Sequence, residues 1–157
     1  MDEAERKQFF ETLLARMLHT MVKVSATGYK PVQLTAIVDT GAPISVISAA
    51  TAKALGFHPP KKRRAVLMTP GGNVRVYGVV WVDLQAEDGP KVSVLAAVSS
   101  PEFLNEARTG MILGLDYLAP AIAHVDIFRR KITYKTLPVF TSKARNGSLT
   151  RTKGLES

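Results

Sequence analysis

From Val22 onward the apolar residues of this chain fall two apart, and the runs that carry them are cut at short intervals by turn residues. That alternation sends successive side chains to opposite faces, so these segments are expected to be strands with one face buried. Val22, Val24 and Ala26 form the first run, Gly28 to Pro31 a turn, and Val32, Leu34, Ala36 and Val38 resume the pattern up to Asp39. A further short strand is expected over 44–47, after which Ser48 can cap a helix that runs to Leu55 and stops at Gly56. A second hairpin follows, with arms at 65–68 and 74–84 around Pro70, Gly71, Gly72 and Asn73. Asp88 and Gly89 turn that long arm back into 92–98.

Ser100, Pro101 and Glu102 have the cap-then-proline form of a helix start, and Gly110 ends that helix before the apolar stretch 111–113. Another short helix is expected to begin near Asp116 and yield at Pro120. Val125, Ile127, Ile132 and Tyr134 suggest a closing hairpin whose turn carries Arg129, Arg130 and Lys131. Many short strands at even spacing point to a small barrel or sandwich. Only residues 3–21 break the period: Phe9, Phe10, Leu13, Leu14, Met17, Leu18 and Met21 stand three and four apart, as on an amphipathic helix. The chain thus divides into an N-terminal helix over 1–21, a β domain over 22–138, and a basic tail over 139–157. That tail has almost nothing apolar and is expected to be disordered. With 157 residues in all, one core must support whatever the chain does.

Much chemistry is excluded by inspection. There is no cysteine, hence no disulfide, thiolate nucleophile or Cys-ligated metal. His19, His58 and His124 lack zinc-site spacing, and neither a nucleophile elbow nor a phosphate loop is present. No metal or cofactor is expected. No apolar run approaches the ~20 residues of a membrane span, and the charged start lacks a secretory pattern, so a cytoplasmic protein without membrane attachment is expected. The net charge of +8 is concentrated at 61–64, at 129–131 and in the tail. Without interleaved aromatic residues these clusters read as solvated loops rather than a nucleic-acid surface.

What remains is a carboxylate. Asp39 ends an apolar strand and precedes Thr40, Gly41 and Ala42, so a charge sits where a buried strand breaks into a tight turn. Such a carboxylate must be hydrogen-bonded or shift its pKa, and either outcome suits acid–base work. On the tripeptide alone, an ordinary turn aspartate bonded to nearby amides is the competing reading.

The surroundings change that balance. Residues 36–48, Ala-Ile-Val-Asp-Thr-Gly-Ala-Pro-Ile-Ser-Val-Ile-Ser, resemble the active-site segment of retropepsin-like aspartic proteases. Residues 111–118, Met-Ile-Leu-Gly-Leu-Asp-Tyr-Leu, resemble that family's second apolar-apolar-Gly segment and the helix after it. The glycine-bearing hairpin at 66–76 falls where the family places its flap. Leu115, where viral members usually carry arginine, is closer to the DNA-damage-inducible branch. The resemblance covers about 21–137. It implies a closed β-barrel with short helices, an aspartic endopeptidase acting as a homodimer on polypeptide, and Asp39, Thr40 and Gly41 as the catalytic turn. Gly41, Ala42, Pro43 and Ile44 would contact substrate from below, Met68, Thr69, Pro70, Gly71, Gly72 and Asn73 from the flap, and Ile112 from the wall. Thr40 would hydrogen-bond across the dimer axis.

One aspartate cannot act as base and acid toward the same amide, whereas two carboxylates about 3 Å apart cannot both ionise and must share a proton. The ionised partner takes a proton from water while the protonated one hydrogen-bonds the scissile carbonyl. This chain has a single Asp-Thr-Gly, so the second carboxylate is expected from Asp39 of another copy across a two-fold axis. Pro43 departs from the retroviral pattern because it has no N–H to offer a substrate backbone, and Ile44 replaces a frequent polar residue. Both departures favour a more apolar pocket. They also motivate an alternative, a catalytically inactive dimer that binds peptides or assembles partners; a weaker one is a nucleic-acid-associated protein using the basic loops.

Overall fold

The computed structural model describes residues 1–58, 65–69, 72–100, 104, 109–135, 140–142 and 150–152. After an N-terminal helix α1 (Glu3–Arg16) come strands β1 (His19–Ser25), β2 (Val32–Val38) and β3 (Val46–Ser48), and the short helix α2 (Ala49–Ala54). Strands β4 (Ala65–Thr69), β5 (Gly72–Ala86), β6 (Lys91–Ser99) and β7 (Met111–Leu113) follow. Helix α3 (Leu115–Leu118) then precedes β8 (Ala123–Asp126) and β9 (Lys131–Tyr134). The principal sheet runs β1-β2-β7-β3-β6-β5-β4, and β1 also pairs with β5. Six strands therefore close into a barrel, as the resemblance implied, while β4 hangs from β5 outside the ring.

The pairing explains the sequence pattern. β2 lies parallel to β7, Ile37 opposite Ile112, and β3 lies parallel to β6, Ile47 opposite Val98. Strands buried on both faces read as unbroken apolar runs. Accordingly Ala36, Ile47, Met111 and Leu113 enter the main core with Val22, Val24, Leu84 and Tyr117, whereas their neighbours Ile37, Val46 and Ile112 enter a second cluster with Val76, Ala97 and Leu104. Where one face meets solvent, as in β5 and β6, alternation returns. Each fully buried Val, Leu or Ile stabilises the fold by about 1.5–3 kcal/mol. The Asp88 turn forms as expected, with Asp88 at φ 63°. Ser48 caps α2 by accepting from the Thr51 N–H at 3.1 Å.

Three expectations need correction. α1 ends at Arg16 rather than 21, because Leu18 is buried in the barrel and His19 already pairs with Ile37. Its apolar spacing carried on into a strand. Ile127 is not part of β8: the strand stops at Asp126, and residues 127–130 form the turn. The tail contains one local antiparallel pair, β10 (Phe140–Ser142) with β11 (Thr150–Thr152), among β-branched threonines. The helix expected after Ser100 and the basic loop at 61–64 lie largely or wholly outside the described residues. No helix among the described residues is long and apolar enough to cross a membrane.

α1 is closed at both ends. The Asp2 N–H donates to Glu5 and the Glu5 N–H to Asp2, each at 2.8 Å, a reciprocal cap. At the other end the Arg130 guanidinium donates to the carbonyls of Ala15, Arg16 and Met17 at 3.0–3.3 Å. The basic turn is thus not merely solvated: Arg130 neutralises helix-end carbonyls that have no intrahelical donor.

Candidate active site

β2 carries the chain to Asp39, where its hydrogen-bond partners change. The Val38 N–H donates to the Leu18 carbonyl at 2.8 Å, and the next amide, that of Asp39, donates to the Leu113 carbonyl at 2.9 Å. The strand is therefore gripped on both sides as it ends. The Ala42 N–H donates back to the Asp39 carbonyl at 3.1 Å and closes the turn, while the Gly41 N–H donates to Asp39 Oδ1 at 2.9 Å. That bond fixes the carboxylate's rotation and leaves Oδ2 without a partner among the described residues. A Cβ on Gly41 would stand 3.3 Å from Oδ1, so glycine lets the amide come this near. Asp39 is half-buried, Thr40 and Gly41 are exposed, and the Thr40 hydroxyl bonds to no described residue.

A second set of bonds holds the turn from behind. Ser45, fully buried, donates its N–H to Asp116 Oδ2 at 2.8 Å and its hydroxyl to Oδ1 at 2.7 Å. Ser45 Oγ also accepts from the Gly114 N–H at 3.0 Å, and the Leu115 N–H donates to the Ala42 carbonyl at 2.8 Å. The 42–45 segment is thereby bolted to the start of α3. Contact is so close that a Cβ at residue 114 would lie 2.7 Å from the Ala42 carbonyl oxygen and 2.8 Å from the carbonyl of Ile44. Only glycine fits. Tyr117 anchors α3 to the opposite wall: its hydroxyl donates to the Pro90 carbonyl at 2.6 Å and accepts from the Ala86 N–H at 3.1 Å. Burial raises its pKa, partly offset by the Ala86 bond. Tyr134 packs edge-on against it at 6.2 Å, and burial, with repulsion from Tyr117 and Asp88, pushes that phenol up as well.

The remaining site residues fall into two groups. Ala42 and Ile44 pack on the second cluster, which contains Ile112, so the Asp39 turn rests on an apolar floor. Ile112 is itself buried, part of that floor in the single chain. Pro43 is exposed. The residues expected to form a flap lie on β4 and β5, where Thr69 pairs with Gly72 and Met68 with Asn73, a tighter hairpin than the expected arms. Pro70 and Gly71, at its tip, lie outside the described residues. At its foot, Val76 joins the cluster beneath Ala42 and Ile44. Among the described residues no group of three His, Asp or Glu is placed to hold a metal, and His58 and His124 are both exposed.

Sequence reasoning singled out neither Ser45 nor Asp116 as part of the site. The available signal is one hydroxyl in the apolar run 44–47 and one carboxylate two residues after the Ile112-Leu113-Gly114 segment; a polar side chain buried in an apolar run needs a partner.

A family model described as aspartyl protease matches residues 22–117. The EIAV protease complexed with the inhibitor HBY-793 is 24% identical and superposes with a TM-score of 0.49, over 70% of this chain and 92% of that one. The retroviral protease-like domain of Ddi1 from Leishmania major is 17% identical at a TM-score of 0.48, over 77% and 90%. A retropepsin-like aspartic protease from Rickettsia conorii is 17% identical at 0.44, over 69% and 84%. A search of curated proteins found no match.

Proposed function

Because this chain belongs to the aspartyl protease family, we propose that it is one half of a homodimeric endopeptidase of retropepsin type, hydrolysing extended polypeptides between apolar residues. The observation that carries the reading is the Asp39 turn. One carboxylate oxygen is fixed by the Gly41 amide, the other is open, and the turn is bolted through Ser45 to Asp116. A rigid carboxylate at an exposed turn is half of a dyad, and a chain with one Asp-Thr-Gly completes it with a second copy.

In the dimer the ionised Asp39 removes a proton from a water held between the two carboxylates. The oxygen so released attacks the scissile carbonyl carbon, while the protonated Asp39 of the other copy hydrogen-bonds and protonates the carbonyl oxygen. Collapse of the tetrahedral intermediate returns a proton to the departing amine, with no covalent acyl-enzyme. Because one carboxyl must be protonated and the other ionised, the rate falls on both sides of its pH optimum. The exposed Thr40 hydroxyl serves as the contact between the two turns. The β4–β5 hairpin closes over the peptide and adds main-chain bonds as an extra strand would. The apolar floor under Ala42 and Ile44 supports a preference for apolar side chains.

The test is Asp39→Asn. Fold and dimer persist and peptide cleavage is lost; undiminished cleavage by that variant refutes the reading. Pro43 supports one alternative, an inactive dimer that holds peptides, since it cannot donate to a substrate backbone. Saturable peptide binding by the native chain with no turnover across a broad pH range favours that alternative.

A further inference from the structure

α1 is not part of the barrel's strand ring. Capped at both ends, the helix contributes nothing to either apolar cluster among the described side chains, and Phe9 near its middle is 57% exposed. Its C-terminal end is fastened by Arg130, which belongs to the turn between β8 and β9. That turn also displays Ile127, 69% exposed, and Phe128, 95% exposed. Met17, between α1 and β1, is exposed too. Beside it the Leu18 carbonyl receives the Val38 N–H, one residue before Asp39. Helix end, apolar turn and catalytic turn therefore lie at the same end of the barrel.

We propose that α1 and the β8–β9 turn form the surface on which a second copy of this chain docks, the two helices antiparallel across the axis that joins the Asp39 turns. This deepens the homodimer reading above and rests on it. Two features of the surface fit a second copy. In a two-fold contact residue i meets j and j meets i, so antiparallel helices set the acidic first turn, Glu3 and Glu5, against the other copy's helix end. That end carries Arg16 and is held by the turn that bears Arg129, itself paired with Asp126 at 3.0 Å, with Lys131 beginning β9. Opposite charges and opposite helix dipoles then meet at both ends. Phe9 lies near the helix midpoint, where the axis must cross, and Ile127 and Phe128 add large apolar side chains that a solvated loop would not retain. The same patch adjoins the turn that is incomplete without a second carboxylate.

The experiment measures dimer dissociation by sedimentation, and peptide turnover against protein concentration, for the native chain and two variants. Ile127→Ser/Phe128→Ser changes only exposed side chains, and an unaltered far-UV spectrum and melting temperature confirm its fold. It is expected to raise the dimer dissociation constant at least tenfold and to restore turnover at high concentration. Glu3→Lys/Glu5→Lys is expected to weaken the dimer likewise, and an added Arg129→Glu to recover part of the loss. Native dissociation constants in both variants would overturn the proposal. So would binding of the native chain to anionic lipid vesicles through Phe128 with dissociation unchanged. A native dimer that loses association in the variants yet cleaves no peptide would uphold this surface while refuting the catalytic reading.

Discussion

Asp116→Ala removes the acceptor for two donors of one buried residue. Ser45 is fully buried, and its N–H and hydroxyl both end on the Asp116 carboxylate at 2.8 and 2.7 Å. A buried donor left unpaired costs about 1–3 kcal/mol, so two cost roughly 2–6; water reaching the half-buried Asp116 position recovers part, leaving about 2–4 kcal/mol. For a domain of this size that corresponds to a fall in melting temperature of roughly 6–12 °C, at ~3 °C per kcal/mol. Asp116→Asn retains an acceptor for the Ser45 N–H but sets an NH2 where the Ser45 hydroxyl needs an acceptor, so one buried donor is left unpaired at a cost of about 1–3 kcal/mol. Thermal and urea unfolding followed by far-UV circular dichroism measure both, and a double-mutant cycle with Ser45→Ala isolates the coupling. Peptide turnover by Asp116→Ala, assayed well below its melting temperature, falls because the 42–45 segment loses its anchor. An alanine variant that melts within about 1 °C of the native chain, or no coupling with Ser45→Ala, refutes the claim that this bond set holds the turn.

Gly114→Ala places a methyl against two main-chain carbonyls, so a loss of at least ~2 kcal/mol in urea unfolding is expected; a near-native midpoint contradicts the close approach. Tyr134 Oη is buried with no hydrogen-bond partner among the described residues, so Tyr134→Phe is expected to be neutral or stabilising by up to ~1 kcal/mol, whereas Tyr117→Phe loses two bonds and about 1–2 kcal/mol. Both phenols have folded pKa values raised above the unfolded value. Their contribution is therefore complete below about pH 10 and lost as pH rises beyond it, where the unfolded chain ionises first; an absorbance titration at high pH and urea midpoints measured across that range test the sign. Pro43→Ala returns an N–H beside the catalytic turn and is expected to lower KM by roughly three- to tenfold with kcat little changed, the worth of one hydrogen bond; an unchanged KM removes Pro43 from the substrate contact.

Strand periods and turn residues make most of the barrel legible in the sequence, because each depends on neighbours within a few residues. Asp39 was legible for the same reason: a charge at the end of an apolar run is a local anomaly. The helical spacing continues by chance through Leu18 and Met21, and only the pairing of 19–24 with β2 decides that the chain runs on there as a strand. Ser45 and Asp116 were missed because each becomes meaningful only opposite the other. Arg130 reads as a solvated charge in the sequence because its partners, three carbonyls, carry no side-chain signature.

The bolt behind the Asp39 turn spans 71 positions of chain. During synthesis Asp39 leaves the ribosome long before Gly114 and Asp116, and until they follow, only the local bonds from Gly41 and Ala42 shape its turn. A chain cut short of residue 116 therefore keeps Asp39 but lacks the distant carboxylate to which the segment behind its turn is tied.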